Sequence, residues 1–176
     1  MAAARHGPAG RVLFVLALAL LAGCGSHAPK PIPTPIGSGP EFRPPAGIAA
    51  PSRPGSLQGR YRAHIELFLR RRVVVVPAGI GVGRPWHERF GRIESARCRA
   101  ELRTLDPSGV VEFDRERLTV EDFFRVWGRS PFHGPVAAYV AGKRVTGPIP
   151  LVDGAEIVLE AGGYVPPHRT FLFPPR

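Results

Sequence analysis

Strict alternation of apolar and polar residues is clearest from residue 60 to 69, where Tyr61, Ala63, Ile65, Leu67 and Leu69 share one face and His64 lies on the polar one. Successive side chains of a strand point to opposite faces, so this segment predicts a strand with one buried side. Arg70-Arg71-Arg72 reads as a turn, and Val73-Val74-Val75-Val76, β-branched and apolar on both faces, as an antiparallel partner. Residues 100–105 and 109–113 predict a second hairpin around Asp106-Pro107-Ser108-Gly109, which places Asp, Pro and Gly as a type I turn prefers them. The period changes to that of a helix after Thr119: Val120, Phe123, Phe124 and Trp127 form one stripe. Thr119 and Asp122 can make a capping box, and Gly128 can supply a left-handed stop. Residues 136–141, the Gly142-Lys143 turn and residues 156–160 predict further strands, and 170–173 a last one. One short helix among about six short strands is an α+β domain on a small, mainly antiparallel sheet.

The chain begins differently. Arg5 and Arg11 precede an unbroken apolar run at residues 12–22, which closes on small residues as a secretory signal does. A membrane-spanning helix needs about 20 apolar residues, so this run is too short to be a stable span. It ends in Leu21-Ala22-Gly23-Cys24, which resembles the lipobox of bacterial lipoproteins. The resemblance implies a signal peptide at 1–23, cleavage before Cys24, a thioether-linked diacylglycerol on that thiol, and often an acyl chain such as palmitate on the new amino terminus. The implied partner is membrane lipid, held by two or three acyl chains that make attachment effectively permanent. In a Gram-negative cell, Gly25 in place of an aspartate implies the outer membrane, facing the periplasm. Residues 24–58 are proline-rich, with Pro29, Pro31, Pro33 and Pro35 in alternation, and predict a tether without helix or sheet. Stiff and extended at about 3.1 Å per residue, it would reach roughly 90 Å. It serves either as a spacer or as a simple tail. Residues 59–176 then make a single domain of ordinary size.

Charge narrows the partners. The chain carries 24 Lys+Arg against 14 Asp+Glu, and loss of Arg5 and Arg11 with the signal peptide leaves about +8 of the formal +10. Export excludes the usual nucleic-acid partners, so an arginine-rich face points to anionic headgroups, acidic wall polymers or another envelope protein. Arginine preference in a GC-rich genome would also explain the composition. Gly79-Ile80-Gly81-Val82-Gly83 is flanked by Pro77 and Pro85 with no helix to follow, so it predicts a backbone bend and not a phosphate loop. Cys98 has no cysteine partner within the folded domain and lies between Arg97 and Arg99, where it is either a reactive thiol or a small apolar strand residue. Glu112, Asp114 and Glu116 would share a face if their strand continued, as a cation site or a solvated acidic edge. His64, His87, His133 and His168 lack ligand spacing. No G-x-S-x-G, H-E-x-x-H, phosphate-loop or paired C-x-x-C motif occurs, so neither an enzyme nor a cofactor is expected.

Two resemblances bear on the folded domain. VAAYVAGKRVTGPIPLVDGAEIVLEAGG is similar to the closing half of small β-grasp domains. HIELFLRRRVVVVPAGIGV, Cys98, LRTLDPSGVVEF, LTVEDFFRVWG and VAAYVAGKRV together resemble an uncharacterised group of prokaryotic envelope proteins, over most of residues 61–160. In that group two histidines precede the aspartate that matches Asp106, and the cluster implies metal binding. Here Arg103 and Leu105 stand at those two positions. The expectation that follows is a non-catalytic, lipid-anchored envelope module binding an envelope protein or an anionic polymer, or alternatively a metal-handling protein with a degenerate site at His64, Cys98 and Asp106.

Overall fold

The computed structural model describes residues 53–176; the expected signal peptide, Cys24 and the expected tether up to residue 52 lie outside the described residues. In chain order the elements are β1 (Tyr61–Leu69), β2 (Arg72–Val74), β3 (Val82–Arg89), β4 (Arg92–Arg99), β5 (Leu102–Thr104), β6 (Val110–Phe113), α1 (Val120–Trp127), β7 (Ala137–Val140), β8 (Lys143–Val145) and β9 (Glu156–Ala161). The α+β class is as expected, but the described residues hold nine strands where about six were predicted. The additions are short pieces and the unforeseen β3–β4 hairpin.

β1 organises the main sheet. Its first half pairs antiparallel with β6 and its second half with β2, while its other edge runs parallel to β9. The sheet order is β5-β6-β1-β9-β7-β8, and β3 and β4 form a separate two-stranded sheet. A parallel central pair is thus flanked by antiparallel strands, with the helix between β6 and β7 in sequence. Side chains at paired positions lie side by side, so Ala63, Ile65 and Leu67 join Ile157 and Leu159 on one face. That face meets Val120, Phe123 and Trp127 of α1 in the main core. Burial of each such aliphatic side chain contributes about 1.5–3 kcal/mol.

The helix is held as its sequence predicts. Thr119 accepts from the Asp122 amide, Asp122 accepts from the Thr119 amide at 2.9 Å, and Gly128 takes the left-handed conformation at φ 73°. Leu57, Ala78, Val82, Ile93 and Leu105 form a second, smaller core. Leu57, two residues before the expected boundary at Gly59, is therefore packed in this core. The Gly79–Gly83 glycines do let the backbone bend beside the core: a Cβ on Gly81 would come within 1.9 Å of the Leu102 carbonyl oxygen, at φ +67°. The predicted strand at 170–173 does not form. β9 is already paired on both edges by β1 and β7, and Pro166, Pro167, Pro174 and Pro175 remove amide donors around that segment.

Phe123 is fully buried in the main core. Phe123→Ala is expected to cost about 3–5 kcal/mol by removing packed surface and leaving a cavity. The loss is measured as a shift in the urea midpoint at unchanged slope.

Candidate functional site

The face of the main sheet turned away from α1 is charged. Parallel register sets His64 beside Glu156, Glu66 beside Val158 and Phe68 beside Glu160. Residues after β9 turn back and cross this face in the direction opposite to β1. Val165 donates its amide to Glu160 at 3.2 Å, and His168 Nδ1 lies 2.9 Å from both oxygens of Glu66. Phe171 stacks flat on His64, with ring centres 3.7 Å apart. Arg62 donates to the Pro174 carbonyl at 2.7 Å, and Arg176 to the Arg60 carbonyl at 3.0 Å. The proline-rich end thus covers a polar face without forming a strand, which explains why His64, at 4% exposure, is buried on the side predicted to be polar.

His64 Nε2 lies 2.7 Å from the Ser108 carbonyl oxygen and Nδ1 lies 2.7 Å from Glu156 Oε2. A carbonyl only accepts, so Nε2 carries a proton and donates it. Glu156 is 2% exposed, and its second oxygen, Oε1, has no hydrogen-bond partner. One ligand atom from each of His64, Glu66 and Glu156 fits within 4.8 Å, and this is the group of metal-ligating side chains that the described residues bring together. The hydrogen bond and charge of Glu66 raise the His168 pKa above its ordinary value.

The expected His64, Cys98 and Asp106 constellation is not assembled, because two of its members are committed elsewhere. Cys98 sits on β4, opposite Gly83 in the separate hairpin. Asp106 pairs with Arg92 through Oδ2 and accepts from Ser108 through Oδ1. The shared acidic face of Glu112, Asp114 and Glu116 also fails, since β6 ends at Phe113. Glu112 accepts the Gly59 amide, Asp114 pairs with Arg99 and Arg103, and Glu116 accepts from Tyr61.

Of the two positions where the envelope-protein resemblance implies histidines, Leu105 lies in the second core and Arg103 is completely buried. Arg103 donates to the Leu57 and Ala100 carbonyls and pairs with Asp114 at 3.0 Å. Burial pulls its guanidinium below the ordinary value, opposed by the hydrogen bond and charge of Asp114. Burial alone would raise Asp114, but Arg103 and then Arg99 hold its carboxyl below the usual range. A buried arginine on a β-strand has no local sequence signal that distinguishes it from the exposed ones.

A second feature lies at the end of β1. Leu69 pairs with Arg72, so Arg70 and Arg71 form the whole turn, at φ 51° and 63°. Positive φ at both positions is the type I′ geometry that Asn-Gly normally supplies. The two other hairpins of this kind use Phe90-Gly91 and Ala141-Gly142, each with a glycine. Left-handed backbone costs a non-glycine residue about 1–2 kcal/mol, so this turn is strained. Arg70, Arg71 and Arg72 are exposed, and among the described residues none pairs with a carboxylate. The stems of Arg70 and Arg71 lie over Gly162 and Gly163, where an added Cβ would come within 3.2 Å of Arg70 Cγ and 2.9 Å of Arg71 Cγ.

No protein-family model matches the chain, and no curated protein or solved structure matches it either.

Asp114→Asn would leave the Arg103 charge buried without its counter-ion, and a loss of about 3–5 kcal/mol is expected. Because the folded carboxyl titrates below an unfolded aspartate, its contribution is present above pH about 3.9 and disappears as pH falls through the lower, folded value. Acid unfolding followed by circular dichroism should therefore be displaced in the variant, whereas coincident acid transitions would contradict the assignment.

Proposed function

We propose that this chain is a lipid-anchored protein of the cell envelope whose folded domain is a non-catalytic module for an anionic envelope polymer. The observation that carries the reading is the β1–β2 turn. Three consecutive arginines are presented there without counter-ions among the described residues, two of them, Arg70 and Arg71, on a backbone that glycine would adopt at lower cost, with Gly162 and Gly163 making room for the stems of those two. Strain kept where a cheaper residue exists marks a position under functional constraint. Guanidinium groups bind phosphate and carboxylate in a forked, two-bond geometry, which suits a polymer that repeats such groups. Acylation of Cys24 would hold the module at a membrane surface and decide which polymers it meets. The hydroxyl nearest His64 is engaged elsewhere. Ser108 Oγ donates to Asp106, and His64 meets Ser108 only through its backbone carbonyl, so no serine–histidine pair forms.

Replacing Arg70 and Arg71 together, Arg70→Asn with Arg71→Gly, separates charge from structure. The double variant should be more stable by about 1 kcal/mol, since it relieves left-handed strain. It should also lose at least about tenfold in affinity for long-chain polyphosphate, a defined polyanion, and wild-type binding should weaken steeply as salt screens the charges. Binding that survives the double replacement would contradict the reading.

The anchor has its own test. The mature wild-type protein should partition into the detergent phase and carry the mass of its acyl chains, and Cys24→Ser should move it to the aqueous phase. An unmodified amino terminus by mass spectrometry would overturn the assignment.

A further inference from the structure

We infer that His64, Glu66 and Glu156, with His168 from the carboxyl-terminal segment, form a binding site for a divalent transition-metal ion of the zinc class. The inference is independent of the arginine turn. An internal ion pair explains only part of the geometry: imidazolium against carboxylate would satisfy His64 Nδ1 and Glu156 Oε2 at 2.7 Å. It leaves Glu156 Oε1 buried with no partner, while Glu66, itself paired with His168, brings a second carboxylate within 4.8 Å of the same atoms. Two carboxylates gathered on a largely buried face repel each other, and an unpartnered charged oxygen away from water is costly. A dication removes both penalties at once.

The chemistry of the donors selects the class of ion. Imidazole nitrogen together with carboxylate oxygen suits zinc and its neighbours, whereas calcium and magnesium prefer oxygen alone. The outer shell is in place too. A metal-bound histidine usually donates its other ring N–H to a backbone carbonyl or carboxylate, and His64 Nε2 does so to Ser108 at 2.7 Å. Ligand atoms about 2.0–2.2 Å from one ion stand closer together than the present 4.8 Å spread, so binding draws the three groups inward by modest side-chain rotation. His168, with Nδ1 2.9 Å from both Glu66 oxygens, lies outside the 4.8 Å group but next to one of its members, from where it can move in as a fourth ligand. Phe171, stacked on His64, closes the site from the same segment.

The test uses the mature full-length chain, with Zn²⁺ for affinity and Co²⁺ for spectroscopy. One equivalent should bind and raise the thermal midpoint, and the Co²⁺ form should show tetrahedral ligand-field bands without a thiolate-to-metal charge-transfer band, which excludes Cys24 and Cys98 as ligands. Glu156→Gln should weaken Zn²⁺ binding by more than about a hundredfold, beyond the 10–100-fold typical of losing an outer-shell partner. Since Glu156 is buried and its replacement risks the fold, Glu66→Gln, at a partly buried position, should show the same loss with an unchanged circular dichroism spectrum. His168→Ala should lose about tenfold. Absence of stoichiometric uptake by the wild type, or equal uptake by folded Glu66→Gln, overturns the site.

Discussion

The register of β1 against β9 is the constraint on which the rest of the structure depends. These strands are the one parallel pair in the main sheet, and no turn joins them to set their alignment. With Ile65 beside Ile157 and Leu67 beside Leu159, the apolar face is continuous under α1. The same alignment necessarily puts His64 beside Glu156 on the opposite face. A slip by one residue would turn the aliphatic side chains away from the core and drive His64 and Glu66 into it. Core and charged cluster are therefore two consequences of one pairing, and neither can be altered without the other.

Covering the charged face requires a layer that satisfies ions without a second hydrophobic core. The segment after β9 does this with single contacts spaced along β1: an amide to Glu160, an imidazole to Glu66, a ring over His64, a carbonyl to Arg62. Its prolines prevent it from competing for the sheet ladder, so its side chains and carbonyls remain free to meet the polar face. On the other flank, Arg103 plays the corresponding part. It fastens residue 57 and the end of β4 to Asp114, just past β6, and so ties the β3–β4 hairpin side of the molecule to the main sheet.

Local rules recovered the elements whose signals are local. The β1 alternation, the hairpin around Asp106-Pro107-Ser108-Gly109 and the boxed helix from Thr119 to Gly128 stand where the residues place them, and the turn expected at Arg70-Arg71-Arg72 forms at Arg70-Arg71, with Arg72 already in β2. The β3–β4 hairpin escaped because its strands carry Arg84, Arg89, Arg97 and Arg99 in an irregular pattern, broken by register shifts after Gly83 and His87. The predicted strand at 170–173 had the right composition, but β9, the strand that precedes it, is already paired on both edges, and the segment crosses the sheet face instead. Of the candidate cluster, His64 and Glu66 are two apart on a strand and so visibly share a face. Glu156 is ninety-two residues from His64 and reaches it only through the parallel pairing, which leaves no mark in a single sequence. Cys98 and Asp106 drew attention through residue type, but type does not reveal that one lies on a different sheet and the other is saturated by Arg92 and Ser108.

Charge is sorted by location in this domain. The formal excess is strongly positive, yet Glu112, Glu156 and Glu160 are all buried, together with Arg103 and His64. These acids are thus withdrawn from the surface, while Glu88, Glu94, Glu116, Glu121 and Asp153 stay exposed, as do most arginines. Burial of Glu156 and Glu160, both on the strand beside β1, leaves two fewer carboxylates at the surface to oppose the arginines of the β1–β2 turn. The two features meet at Gly162 and Gly163, which carry the stems of Arg70 and Arg71 and also begin the segment that covers Glu66 and His64. A bulky residue at either glycine would disturb the cationic turn and the cover of the acidic cluster together, so the outward positive surface and the inward negative one are coupled through a single point in the backbone.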